Sequence, residues 1–186
     1  MIRFFLMSAM GFLGFGVYRQ AEKTYGPFQL YGPPTQSSIE AAALSRAKED
    51  LTMHEGRRND VYYDTQGYLT VGIGHKVTSQ DNLRAGQKIS DAQIEDFFEQ
   101  DVQKAFAAAK GQANELGKYD ADLIAALTGV NFQLGTGWRS KFKNTWEDLK
   151  KGNAASAINR LRQSEWMKQT PIRVAAFIDA LGEAFG

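Results

Sequence analysis

Along the chain the apolar positions change period three times, and each change marks a different kind of element. Residues 4–18 (FFLMSAMGFLGFGVY) are uncharged and do not alternate. As a helix they would rise about 22 Å, short of the roughly 30 Å hydrocarbon core of a bilayer. Ser8, Gly11, Gly14 and Gly16 further lower helicity and hydrophobicity. Arg3 precedes the run and Arg19 and Lys23 follow it, so charge sets no orientation. The segment fits three readings: a weak signal anchor, a cleaved signal peptide or a buried apolar helix. Cleavage is disfavoured because the nearest small-residue site, Arg19-Gln20-Ala21, has an arginine in its first place. Residues 25–38 (YGPFQLYGPPTQSS) hold three of the four prolines and two glycines, a composition that cannot continue a helix and reads as a linker. The chain thus divides into an apolar membrane-directed segment over 1–24, a linker over 25–38 and a globular domain over 39–186.

The domain opens in helical period. Ser37 followed by Glu40 fits a capping box, and Ile39, Ala43, Ala47, Leu51 and His54 recur on one helical face that ends near Gly56. The period then drops. Val61-Tyr62-Tyr63 and Tyr68-Leu69-Thr70-Val71-Gly72-Ile73 are β-branched and aromatic runs on either side of Asp64-Thr65-Gln66-Gly67, which predicts a hairpin. From Ser90 the helical period returns, predicting helices over 90–110, 121–134, 142–151, 154–163 and 171–185. No strand pattern follows the hairpin. The expectation is an α+β fold, a small antiparallel hairpin or sheet lobe joined to a mostly helical lobe and preceded by the apolar helix.

Composition narrows the chemistry. The 186 residues, 43% hydrophobic and 23% charged, suffice for one sizeable core. The net charge of +1 gives no overall attraction to nucleic acid. Cysteine is absent, which removes disulfides, thiolate nucleophiles and thiolate metal ligands, and only His54 and His75 could supply nitrogen ligands. Gly72-Ile73-Gly74 is half a dinucleotide fingerprint without a third glycine, and His54-Glu55 does not extend to H-E-x-x-H because Arg58 stands at the second histidine position. No G-x-S-x-G elbow occurs. No cofactor and no metal is expected.

Two carboxylates remain as candidates. Glycoside hydrolysis needs a proton donor for the leaving oxygen and a group that manages water on the opposite face of the sugar. Glu55 follows an apolar helical face, where partial desolvation favours the protonated acid, and Asp64 stands at the mouth of a solvated turn. In strand alternation Tyr68, Thr70 and Gly72 share a face, so the Thr70 hydroxyl can hold a water beside Asp64. The spacing alone equally fits two solvated surface carboxylates.

The surrounding words are more specific. His54-Glu55-Gly56-Arg57, followed by Tyr63-Asp64-Thr65-Gln66-Gly67-Tyr68-Leu69-Thr70-Val71-Gly72-Ile73-Gly74-His75, closely resembles the phage lysozyme family, glycoside hydrolase family 24, in its E-G and Y-x-D-x-x-G-x-x-T-x-G-x-G-H order. The resemblance continues through residues 89–102 (ISDAQIEDFFEQDV), Asn131-Phe132-Gln133-Leu134-Gly135 and residues 164–173 (SEWMKQTPIR), and covers about 47–185.

It implies a muramidase that cleaves the β-1,4 bond between N-acetylmuramic acid and N-acetylglucosamine of peptidoglycan. Glu55 would be the proton donor, with Asp64 and Thr70 handling water, so that configuration inverts; inverting carboxyl pairs stand about 6.5–9.5 Å apart. It further implies that Arg173 ion-pairs with and positions Glu55, that His75 pairs with Asp101 for stability, and that Phe132, Gln133 and Gly74 line the saccharide cleft. Trp138, Trp146 and Trp166 are expected to pack. Gln66 replaces an acidic residue found in part of the family, which bears on subsite contacts. Residues 4–18 resemble the anchor of signal-anchor-release endolysins, which would place a monomer on the periplasmic side of the host inner membrane before its release to the periplasm. Without cysteine, any control of that release would be steric or topological. Alternatives are a virion-associated lysozyme that opens the wall during genome delivery, and a non-catalytic peptidoglycan-binding homologue.

Overall fold

The computed structural model describes residues 33–54, 56–64 and 67–186, without the His54 side chain. The apolar segment, most of the linker, Glu55 and Gln66 therefore lie outside the described residues, and so does the expected N-terminal helix. The order is α1 (Gln36–His54), β1 (Arg58–Tyr63), β2 (Leu69–Gly72), β3 (His75–Lys76), α2 (Asp91–Glu115), α3 (Ala121–Leu134), α4 (Trp138–Lys141), α5 (Lys143–Lys150), α6 (Ala154–Arg162), α7 (Glu165–Gln169) and α8 (Pro171–Phe185). It is a mostly helical chain with one small antiparallel sheet, consistent with the expected α+β class, and residues 35–186 cluster as one unit.

Helix α1 starts earlier than the pattern predicts. Thr35 caps it: its hydroxyl accepts from the Ser38 N–H at 3.2 Å and its carbonyl from the Ile39 N–H at 3.0 Å. The expected box between Ser37 and Glu40 gives way to tertiary partners. The Glu40 carboxylate accepts from the Tyr119 hydroxyl at 2.5 Å, from Lys110 at 2.9 Å and from Gln36 at 3.0 Å, and these donors hold its pKa down at about 2. The predicted stripe of Ala43, Ala47 and Leu51 is buried, its alanines allowing α1 close against α3.

Helix α2 is the shared wall of two cores. Ser90 and Gln93 form a reciprocal capping box at its start. Its first half sends Ile94, Phe98 and Val102 into a cluster with Leu51, Val61, Val71 and Ile73 beneath the sheet. Its second half sends Phe106, Ala109 and Ala113 into the main helical core. The helix runs past the predicted end at Lys110, through Gly111, because Gln112 and Ala113 are buried on the same face. Gln112 and Asn131 of α3 exchange two amide hydrogen bonds, each 2.9 Å, so the buried polar pair is satisfied. Beyond α3, Trp138 is fully buried with Trp146 and Phe177 edge-on at 5.7 and 5.9 Å. Trp146 and Trp166 are also buried, in line with the packing role expected of all three tryptophans.

The sheet order is β1-β2-β3, antiparallel throughout. The pairs Tyr62 with Thr70 and Tyr63 with Leu69 give the hairpin register, and an irregularity between Arg58 and Tyr62 bends β1. The third strand, pairing Thr70 with Lys76 and Val71 with His75, corrects the expectation that no strand follows the hairpin. Between β2 and β3 the chain reverses at Gly72 (φ +66°) and Gly74 (φ +75°). A Cβ on Gly72 would stand 3.1 Å from the Ile94 side chain, so backbone conformation and packing both require glycine there.

Gly72→Ala should therefore lower unfolding stability by about 1–3 kcal/mol. Gly111→Ala, in the helix interior with open space around its Cα, should raise it by about 0.5–1 kcal/mol. Urea unfolding of both variants checks the pair, and equal effects would contradict the assignment.

Candidate active site

The hairpin turn is organised around the backbone N–H and carbonyl of one residue, Tyr68. The Tyr68 N–H donates to Asp64 Oδ1 at 2.8 Å, and the Tyr68 carbonyl accepts the Asp64 N–H at 2.8 Å. The same carbonyl accepts the Thr70 hydroxyl at 3.1 Å. Gly67, at φ +82°, lets the chain turn back and donates its N–H to the Asp64 carbonyl at 3.0 Å. Asp64 is half-buried and Thr70 is 4% exposed. Because the Thr70 hydroxyl gives its hydrogen to the Tyr68 carbonyl, its oxygen is left as an acceptor, while one oxygen of the Asp64 carboxylate is held by the Tyr68 N–H. Two sequence-predicted residues, Asp64 and Thr70, are thus brought together through Tyr68, which the sequence reading did not single out.

Glu55 lies outside the described residues, so its expected separation from Asp64 and its expected pairing with Arg173 lie outside them too. Its neighbourhood is fixed on both sides. Helix α1 ends at His54, and Arg57 spans Glu95 at 2.5 Å and Asp91 at 3.0 Å, fastening the chain just after Gly56 to the first two turns of α2. Arg173 is half-buried in the first turn of α8, directly after the Thr170-Pro171 step.

Phe132 and Gln133 end α3 and point to different neighbours. Phe132 packs on the cluster under the sheet, edge-on to Phe98 at 5.9 Å. Gln133 accepts from the Trp166 indole at 3.0 Å and donates to the Thr170 hydroxyl at 3.2 Å, which ties α3 to the α7–α8 junction carrying Arg173. Both amide ends of Gln133 are occupied by protein, so its first role is to set that junction. The tryptophan and threonine four residues apart were the available signal, and it was too generic to read from sequence.

His75 is 9% exposed, stacks on Phe97 at 4.1 Å, and bonds Asp101 through Nδ1 at 2.7 Å. The expected His75–Asp101 pair is therefore present. A second carboxylate, Asp81, was not foreseen: it reaches Nε2 at 3.4 Å while accepting the Thr78 N–H at 2.6 Å and the Thr78 hydroxyl at 2.7 Å. Burial works against the imidazolium, but the hydrogen bonds and charges of Asp101 and Asp81 outweigh it and raise the His75 pKa above its ordinary value. Gly74, the neighbouring predicted residue, serves the chain reversal and is half-exposed. Among the described residues no cluster of His, Asp and Glu side chains is placed to hold a metal ion.

Comparison with known proteins adds a lineage to this geometry. The phage lysozyme family model matches residues 52–178. Over 138 residues the chain is 33% identical to the peptidoglycan hydrolase gp36 of Pseudomonas phage phiKMV, covering 74% of this chain but 15% of that protein. Over 152 residues it is 28% identical to the probable T4-type lysozyme 2 of Dictyostelium discoideum, covering 70% of this chain and 89% of the relative. Over 148 residues it is 27% identical to the pre-baseplate central spike protein Gp5 of Enterobacteria phage T4, covering 68% of this chain and 26% of the spike protein.

A raised His75 pKa means that stability from the imidazolium is fully present below the unfolded value near 6.5 and is lost as pH climbs through the folded value. The stability difference between the protein and its His75→Gln variant should therefore be larger at about pH 6 than at about pH 9. Urea unfolding at both pH values measures it; a difference independent of pH would contradict the assignment.

Proposed function

The chain belongs to the phage lysozyme family, and from that premise we propose that it is a muramidase that hydrolyses the β-1,4 bond between N-acetylmuramic acid and N-acetylglucosamine of peptidoglycan. The observation that supports the reading is that the Asp64 and Thr70 side chains, both within the family motif, bond the backbone of the same residue, Tyr68. Glu55 gives its proton to the glycosidic oxygen as the bond breaks. A water on the opposite face of the ring gives a proton to Asp64, with the Thr70 oxygen accepting its second hydrogen as a guide, and attacks the anomeric carbon with inversion. Arg173 positions Glu55, and Phe132, Gln133 and Gly74 border the saccharide cleft. The reaction needs no cofactor, and the protein acts as a monomer.

The biological role that fits best is endolysis of the host. Residues 4–18 anchor the protein to the inner membrane on its periplasmic side until release to the periplasm. Among the described residues no helix is long and apolar enough to cross a membrane, so membrane attachment rests on the N-terminal segment. A second reading, a virion-borne enzyme that opens the wall during genome delivery, is favoured by the similarity to a phage central spike protein. Finding the protein in purified particles would select it.

Glu55→Gln should keep its fold and lose wall clearing by at least about a hundredfold, the scale of a missing general acid. Product analysis by NMR early in the reaction should show the α-anomer. Clearing retained in Glu55→Gln, or an initial β-anomer, would overturn the mechanism. In the same cells the full chain should fractionate with membranes and a chain starting at Thr35 should not; identical fractionation would overturn the anchor.

A further inference from the structure

Charge is unevenly spread along the domain. Residues 35–134 hold 15 acidic against 10 basic side chains, a net of −5, whereas residues 135–173 hold nine basic against three acidic, a net of +6, in a chain whose whole is +1. The basic surplus gathers where α4, α5 and α6 pack on one another. Arg139, Lys143 and Lys150 line a common cavity of about 420 Å³ with Glu115 and Glu147. Three of the surrounding cations are neutralised: Arg139 by Glu115 at 2.5 Å, Lys150 by Glu147 at 2.8 Å and Arg160 by Asp148 at 2.7 Å. Lys141, Lys143 and Lys151 are exposed and have no carboxylate partner among the described residues. Lys143 and Lys151 stand four residues either side of Glu147 and so share its face of α5. With Lys150 they share the single carboxylate of Glu147, so this face carries more positive than negative charge, a surplus that attracts an outside anion.

The chemistry of that anion follows from the side chains. Flexible ammonium groups suit scattered carboxylates, whereas planar bidentate recognition would call for arginine. The face also lacks the apolar side chains with which a helix enters a lipid surface: the large hydrophobic residues exposed among the described residues are Met53, Tyr63, Tyr68 and Ile172, none of them on α4, α5 or α6. We propose that the Lys143 and Lys151 face of α5, with the exposed Lys141 at the end of the neighbouring α4, docks the protein on the peptide-stem carboxylates of the cell wall, an inference that rests on the muramidase reading. Docking of this kind holds the protein on an insoluble polyanion through residues separate from Glu55, Asp64 and Thr70, and it weakens with salt because exposed charges are screened.

The test uses the full chain carrying Glu55→Gln, so that purified sacculi survive the assay, and measures co-sedimentation at low salt. Adding Lys141→Gln, Lys143→Gln and Lys151→Gln should weaken binding to native sacculi on the order of tenfold. Sacculi whose carboxylates have been amidated should bind parent and triple variant alike. An equal-charge control, Arg84→Gln with Lys88→Gln and Lys104→Gln, should bind like the parent, as should the triple variant on phosphatidylglycerol vesicles. A triple variant that pellets with native sacculi like its parent overturns the docking face and leaves the muramidase reading intact. Equal loss in the control triple assigns the effect to net charge, and loss confined to vesicles assigns it to lipid; either overturns the proposal. A Glu55→Gln chain that still clears walls overturns the muramidase reading instead, and is seen before any lysine is changed.

Discussion

The three hydrogen bonds made by the backbone N–H and carbonyl of Tyr68 are the constraint on which the site depends. One N–H fixes the Asp64 carboxylate, and one carbonyl holds both the Asp64 backbone and the Thr70 hydroxyl. Two side chains six residues apart in sequence are thereby tied to the same backbone residue. A hairpin of this size is marginal by itself in water. It persists because Val61, Val71 and Ile73 are buried against Ile94, Phe98 and Val102 of α2, each such side chain contributing about 1.5–3 kcal/mol when removed from water. Gly72 permits that contact by presenting no Cβ to Ile94.

Helix α2 then relates the sheet to the helical core, since its two halves belong to the two clusters. His75, bridging to Asp101 on α2 and to Asp81 in the following loop, clamps the far side of the sheet. At the other end of the architecture Gln133 ties α3 to the start of α8, while Phe132 at the next position back packs on the cluster under the sheet. Residues for which the family resemblance implies roles are thus distributed over elements whose mutual placement is set by burial and by a few satisfied polar pairs. Among the described residues no buried side-chain nitrogen or oxygen lacks a partner, so these positions carry no unmet polar demand that would loosen them.

How much of this could be read in the sequence depended on the range of the interaction. The α1 stripe, the hairpin and the Ser90 cap are local, and residue type and spacing carry them. The His75–Asp101 pair and the packing role of the tryptophans came with the family resemblance or with simple apolarity. What escaped is either too short or tertiary. A two-residue strand such as β3 has no period, and the four- and five-residue helices α4 and α7 hardly more. Thr35 replaced Ser37 as cap because Tyr119 and Lys110, far along the chain, claim the Glu40 carboxylate that a capping box needs. Helix α2 outran its glycine because burial of Gln112 against Asn131 outweighs the propensity cost. Tyr68 was invisible as a site residue because its contribution is made by its backbone.

The central claim is that Thr70 acts through a hydroxyl whose hydrogen is given to Tyr68 and whose oxygen guides the attacking water. The most direct test compares Thr70→Ser with Thr70→Val by initial rates of wall clearing, with thermal unfolding as a check on the fold. The account predicts that serine, which keeps the hydroxyl, retains activity within about tenfold, and that valine, nearly identical in shape, loses on the order of a hundredfold while remaining folded. A folded Thr70→Val protein that clears walls as well as the parent would contradict it.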